Sequence, residues 1–221
     1  MNRRVSLGGL RRDRKRQRGQ GLVEFALFVP LFLVLLFAML DFGFALYTNL
    51  TIEYASREGA RVGAALASGN ASLPCADVDK HVMAAVQRVL KSAGITVRLD
   101  NSDATKSGIN WVRIYKATNN ADGSGYLTAG NYNEWTYSAG AGPTVDGTAL
   151  DFVAGTQSWS ACSPLRLNGV TPDKIGVAIS YRYSWTTPLI GALKVITPGS
   201  SFFSNNTFID KTVMNLNPTF P

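Results

Sequence analysis

The chain has 221 residues, 22 basic against 15 acidic side chains and a formal net charge of +7. The excess is concentrated: Arg3, Arg4, Arg11, Arg12, Arg14, Lys15, Arg16 and Arg18 stand against Asp13 alone, and the rest of the chain carries 14 charges of each sign. The high pI therefore belongs to a short head, and it excludes reading the chain as a nucleic-acid binder on charge. With one histidine, two cysteines and no His-Glu-x-x-His, Gly-x-Ser-x-Gly or phosphate-cradling glycine loop, no catalytic residue, metal site or cofactor is expected.

After the head come Gly19-Gln20-Gly21-Leu22-Val23-Glu24-Phe25 and an apolar run to Tyr47. Residues 25–40 carry no charged side chain, and Asp41 is the first interruption. A bilayer span needs about 20 apolar residues in a helix, so the run to Tyr47 is long enough to cross. Pro30 lies inside it and is tolerated more readily in a membrane helix than in water. Asp41 is expected near the far interface. Basic flanks stay cytoplasmic, which puts the head inside and everything after Tyr47 outside.

Glu24 is unusual beside such a run. One reading is an interfacial carboxylate favoured by the helix N-terminus. The other is that it meets a cation, and a cut after Gly19 would create one at the α-amino group of Gln20. Gly19 and Gly21 read either as a flexible break or as a cleavage site. An ordinary signal peptide fits poorly, because the one good small-residue triplet, Ala65-Leu66-Ala67, lies far downstream of the span.

The basic leader, Gly19 with Glu24-Phe25 following, Ala26-Leu27-Phe28-Val29-Pro30 and Ala55-Ser56-Arg57-Glu58-Gly59-Ala60-Arg61 together resemble the TadE-like minor pseudopilins of the tight-adherence (Flp) pilus system. The resemblance is specific over residues 19–65. It implies processing at Gly19 and Gln20 by a membrane aspartic prepilin peptidase. It also implies residence in a bacterial inner membrane, and assembly with other pilus subunits and their machinery through Glu24 and Phe25. Gly21 is a rival site, but it leaves Glu24 too close. The alternative function is an uncleaved, membrane-anchored outer binding module.

The helix is expected to continue to residue 67 as a stem. Ala55, Gly59 and Gly63 recur at four-residue spacing, which lets another helix approach closely. That face could pack on the chain's own outer domain or on a neighbouring subunit in assembly. The domain division is thus a leader over 1–19, a transmembrane and stem helix over 20–67, and an outer domain over 68–221.

In the outer domain, residues 77–93 predict a second helix, with Val78, Val82, Ala85, Val86, Val89 and Leu90 as its apolar stripe and Gly94 as its stop. His81 sits beside the stripe and is expected at the surface or packed at its edge. Strands are predicted over 95–99, 111–117, 175–183 and 208–216, with 100–108 as a possible hairpin connection. Val112 and Ile114 are expected to face the core, as are Ile175, Val177 and Ile179. Residues 118–169, rich in Gly, Asn, Ser and Thr, read as one long loop whose aromatics partly fold back on the sheet. The alternative binding function would use this stretch to recognise a ligand or surface. Asn120-x-Asp122-x-Ser124-Gly125 resembles the front of a calcium loop but lacks its acids, so a plain turn is favoured. Cys75 and Cys162 fall outside the membrane, and an even count in an oxidising compartment suggests one bridge. The fold class is α+β: a pilin-like N-terminal helix, then a helix packed on a small antiparallel sheet.

Overall fold

The computed structural model describes residues 14–69, 72–94, 97–119, 125–162, 166, 172–185, 187 and 206–216. One helix, α1 (Arg14–Leu66), runs unbroken through Pro30 and dominates the N-terminal part. It also runs through Gly19 and Gly21, so these glycines are not the flexible break that one reading allowed. Each costs about 1 kcal/mol of helix propensity, but the neighbouring Arg, Lys, Gln and Leu are good helix formers. Ala67, past the end, has φ +50°, and its amide donates to the Gly63 carbonyl at 2.9 Å, a left-handed close to the helix.

A short 3-10 turn (Cys75–Asp77) leads into α2 (Val78–Ser92). Its stripe Val78, Val82, Ala85, Val86 and Leu90 is buried, and Gly94 beyond it has φ +61°, as the helix-stop pattern predicts. His81 is half-buried, with Nδ1 3.0 Å from the Asp77 carbonyl.

The strands are β1 (Gly108–Asn119), β2 (Gly125–Tyr137), β3 (Thr144–Val145), β4 (Thr148–Ala149), β5 (Phe152–Gln157), β6 (Lys174–Tyr183) and β7 (Asn206–Asn215). Five form one antiparallel sheet in the order β5-β2-β1-β6-β7, and β3 and β4 form a separate ribbon. Val112 pairs Ile179 and Ile114 pairs Val177. These four, with Ile175, Trp135 and Phe152, point to one face, where the second half of α1 and all of α2 bury them.

Two expectations fail here. The described part of residues 118–169 is not one long loop: β2 and β5 extend the sheet, while Trp135, Phe152 and Trp159 lie in the core, as the expected folding-back of the aromatics implied. β2 carries polar residues on its core face, Asn133 among them, so it lacks an apolar alternation. Residues 97–99 are not a strand either. They run irregularly beside β1, with one backbone bond from the Ile109 amide to the Leu99 carbonyl at 3.1 Å, and no hairpin joins them to β1, whose partners are β2 and β6. Ile95, Thr96, residues 120–124 of the calcium-loop expectation, residues 1–13 of the leader and residues 217–221 lie outside the described residues.

Candidate processing and assembly site

The junction at residues 19–25 lies on the exposed first half of α1. Gly19, Gly21 and Glu24 are exposed, and Phe25 is 66% exposed. A Cβ built on Gly19 or Gly21 meets nothing within 4 Å. Among the described residues, no contact asks for glycine at either place. Gln20 lies on the same helical segment as Glu24.

From Gly21 to Leu40 the apolar side chains remain uncovered; Leu27 is 78% exposed and Met39 80%. Among the described residues, this is the one helix long and apolar enough to cross a membrane. An exposed surface of Leu, Phe, Val and Met of this length has no place in water, and fits single-pass membrane anchoring.

At Asp41 the helix changes character. Asp41 is buried, not simply lodged at an interface as expected. Its carboxylate accepts from the Thr187 amide at 3.2 Å and from the Thr187 hydroxyl, and its carbonyl accepts from the Tyr183 hydroxyl at 3.3 Å. Thr187 and Tyr183 lie at the end of β6 and just past it, so the outer domain grips the helix from this residue on.

Ala55, Gly59 and Gly63 continue that grip. All three are buried against the chain's own outer domain, one of the two packings the spacing allows. A Cβ on Gly59 would stand 2.5 Å from Val86 Cγ2 of α2 and 3.4 Å from Val177 of β6. A Cβ on Gly63 would stand 2.5 Å from Ile175 Cδ1. These glycines let α1 lie against α2 and β6 with backbone nearly touching side chain. Ser56 on the same face donates to Asp210 and bonds Thr212 at 2.8 Å, both on β7. The opposite face carries the ion pairs Glu53–Arg57 and Glu58–Arg61, the latter at 2.7 Å.

A disulfide and a buried ion pair join the start of α2 to the chain after β5, and of the two only the disulfide was expected. Cys75 and Cys162 are joined, with Cα atoms 5.0 Å apart, linking the turn before α2 to the chain after β5. Beside the bridge, Arg166 is fully buried and forks onto Asp79 of α2 at 2.9 and 3.3 Å. Its guanidinium also lies 4.1 Å over the Trp159 ring. Asn133 of β2 completes the cluster: its amide donates to Asp79 and to the Trp159 carbonyl, and its Oδ1 accepts from the Trp159 amide at 2.9 Å. A fully buried arginine survives only when paired and hydrogen-bonded, and here it is both.

A second tie uses Gln87 of α2, whose Oε1 accepts from the Asp151 amide at 2.7 Å. Asp151 pairs with Lys91 at 2.6 Å. Burial pushes the Asp151 carboxyl up, but Lys91 and the Gly140 amide outweigh it and hold it below the usual range. Among the described residues, no group of three or more His, Cys, Asp or Glu side chains is placed to hold a metal ion. The polar clusters here join helices to sheet.

Residues 19–61 match a family model described as TadE-like protein. No curated protein and no solved structure matches the chain. The matched stretch begins at the glycine of the junction and ends within the small-residue face, consistent with a TadE-like protein.

Proposed function

We propose that this TadE-like segment makes the chain a structural, non-enzymatic minor pseudopilin of a tight-adherence (Flp-type) pilus, for surface adhesion or secretion. The family match connects it to that pilus system. The finer reading puts it in the inner membrane, with its N-terminus cytoplasmic and its outer domain beyond the membrane. A prepilin peptidase cuts between Gly19 and Gln20. The observation that carries this is the start of the family match at residue 19, on a glycine that no contact among the described residues requires.

Cleavage there removes the basic leader and leaves the ammonium of Gln20 on the same helix as Glu24. In a stack of such helices, the Glu24 carboxylate of one subunit neutralises the Gln20 ammonium of the next, with Phe25 packing beside the pair. Ala55, Gly59 and Gly63 serve assembly indirectly, by fixing the outer domain on the stem. The partners are the lipid bilayer, the peptidase, other pilus subunits and the assembly machinery. The alternative, an anchored binding module, had its recognition element in residues 118–169. That stretch is largely committed to the sheet and core.

The deciding measurement is the mature N-terminus by mass spectrometry on protein purified from its own membrane. A chain starting at Gln20 supports processing; one starting at Met1 leaves an uncleaved signal anchor. In a cleaved chain, Glu24→Gln should leave insertion intact and reduce piliation. Normal piliation would remove the charge pairing from the proposal.

A further inference from the structure

The exposed apolar surface of α1 does not end where the outer domain begins. On the face turned away from the domain, Leu36, Met39, Gly43, Leu46, Tyr47, Leu50 and Tyr54 follow one another at helical spacing, and Arg57 and Arg61 come next. Leu46 and Leu50 are each 49% exposed and Tyr54 is 61% exposed. The domain face, in contrast, turns polar and gripped at Asp41. The two faces of one helix therefore leave an apolar environment at different heights.

An upright helix that leaves the hydrocarbon at Asp41, where the domain takes hold, cannot accommodate this. At about 1.5 Å per residue, a hydrocarbon layer of about 30 Å covers about 20 residues, which is the stretch from Gly21 to Leu40. Leu46, Tyr47 and Leu50 would then stand bare in water. A tilted helix accommodates it directly. For a cylinder about 10 Å wide tilted by about 40°, the upper limit of common tilts, the upper and lower faces leave the hydrocarbon about 8 Å apart. That is about five or six residues along the axis: Asp41 on one side and Leu46 or Tyr47 on the other. The headgroup layer adds about 6 Å of depth, enough to take in Leu50 and bring the Tyr54 ring to the boundary, where tyrosine is favoured.

We infer that α1 crosses the bilayer strongly tilted, with the outer domain seated on its upper face and the Leu46–Tyr47–Leu50–Tyr54 face of the stem lying in lipid. The occupant of this face is the bilayer, because the stripe is continuous with the membrane-facing surface of residues 21–40 and ends in tyrosine and then arginine. The inference rests on the membrane reading of α1. It implies that, before any assembly, the domain is held close to the membrane surface.

The test uses the full chain, one copy per nanodisc of phosphatidylethanolamine and phosphatidylglycerol, with its native disulfide intact. Nitroxide labels are placed at Leu31→Cys, Leu46→Cys, Leu50→Cys and Arg57→Cys, all exposed on α1. Collision with oxygen reports lipid, and collision with a water-soluble nickel chelate reports water. The expected result is a several-fold excess of oxygen access at Leu31 and Leu46, a smaller excess at Leu50, and nickel access at Arg57. Nickel access at Leu46 and Leu50 with oxygen access at Leu31 overturns the tilt and leaves the anchor. Access to neither probe at Leu46 shows protein covering that face and also overturns it. Nickel access at Leu31 removes the membrane reading itself, and the tilt with it.

Discussion

The two halves of α1 continue one unbroken helix and behave oppositely. Residues 21–40 bury nothing against the rest of the chain, while from Asp41 onward one face is covered by α2, β6 and β7. The difference is size and polarity at particular positions. The first half places Leu, Phe, Val and Met all round, which keeps other backbone at a distance. The second half repeats Ala55, Gly59 and Gly63 on one face and adds Asp41 and Ser56 to bind the domain. Hydrophobicity takes a helix into a membrane; small residues and a few hydrogen bonds decide where a domain can fasten to it.

The largest expected effect breaks the outer half without touching the inner one. Asp79→Ala strands the buried Arg166 guanidinium, and removing one partner of a buried pair typically costs about 3–5 kcal/mol. The outer domain should lose its cooperative unfolding transition in detergent at 37 °C, or show it at much lower urea. Carbonate extraction should still leave the chain in the membrane. Because the Cys75–Cys162 bridge closes the same junction, Cys75→Ser with Cys162→Ser should be non-additive with Asp79→Ala, by about 0.5–3 kcal/mol. Strict additivity would separate the bridge from the ion pair.

A pair of glycine substitutions sharpens the same comparison. Gly59→Ala puts a methyl 2.5 Å from Val86. Overpacking of this kind costs about 1–3 kcal/mol, more than the roughly 0.5–1 kcal/mol that alanine gains as a helix former. Gly43→Ala meets nothing within 4 Å and should move the domain's urea midpoint by less than about 0.5 kcal/mol equivalent. Equal effects at the two sites would mean that the domain does not fasten to α1 through this face.

The sequence showed the helices well and the sheet unevenly. α2, β1 and β6 carry periodic apolar residues, α1 a long apolar run, and the core positions Val112, Ile114, Ile175, Val177 and Ile179 follow from alternation. β2 escaped because its core face mixes Asn133 with Trp135 and Tyr137. Asn133 is inward because it satisfies Asp79 and both backbone groups of Trp159, which no local pattern announces. The alternation of Asn133, Trp135 and Tyr137 was the available signal, hidden among glycine and threonine. Arg166 was invisible for the same reason: its burial depends on an aspartate 87 positions away. Asp41 read as a tolerated interruption, since Thr187, which holds it, lies 146 residues on. The bridge, in contrast, could be suggested from topology, because two cysteines placed outside a membrane leave few choices.

The last effect is confined to high pH and involves a tyrosine on the sheet face turned away from the helices. Tyr115 is buried there, packed over Gly176, where a Cβ would fall on its ring. Burial, reinforced by the Asp210 carboxylate, pushes its phenol up to about 12. Burial pushes Tyr181 up to about 12 as well. An ordinary phenol ionises near 10, so above that pH the unfolded chain releases protons that the folded domain retains. The resulting stability is complete below about pH 10 and is lost as pH rises from about 10 to about 12. Urea midpoints followed by tryptophan fluorescence should therefore be flat to pH 9 and fall beyond pH 10. Tyr115→Phe removes one of the two groups and a hydroxyl that has no hydrogen-bond partner among the described residues. Its curve should match wild type or lie above it at pH 8, and should fall less steeply between pH 10 and 12. Parallel curves across that window would mean that Tyr115 is not sealed in the sheet. Because the effect belongs to the domain, membrane extraction at pH 8 should be the same for both chains.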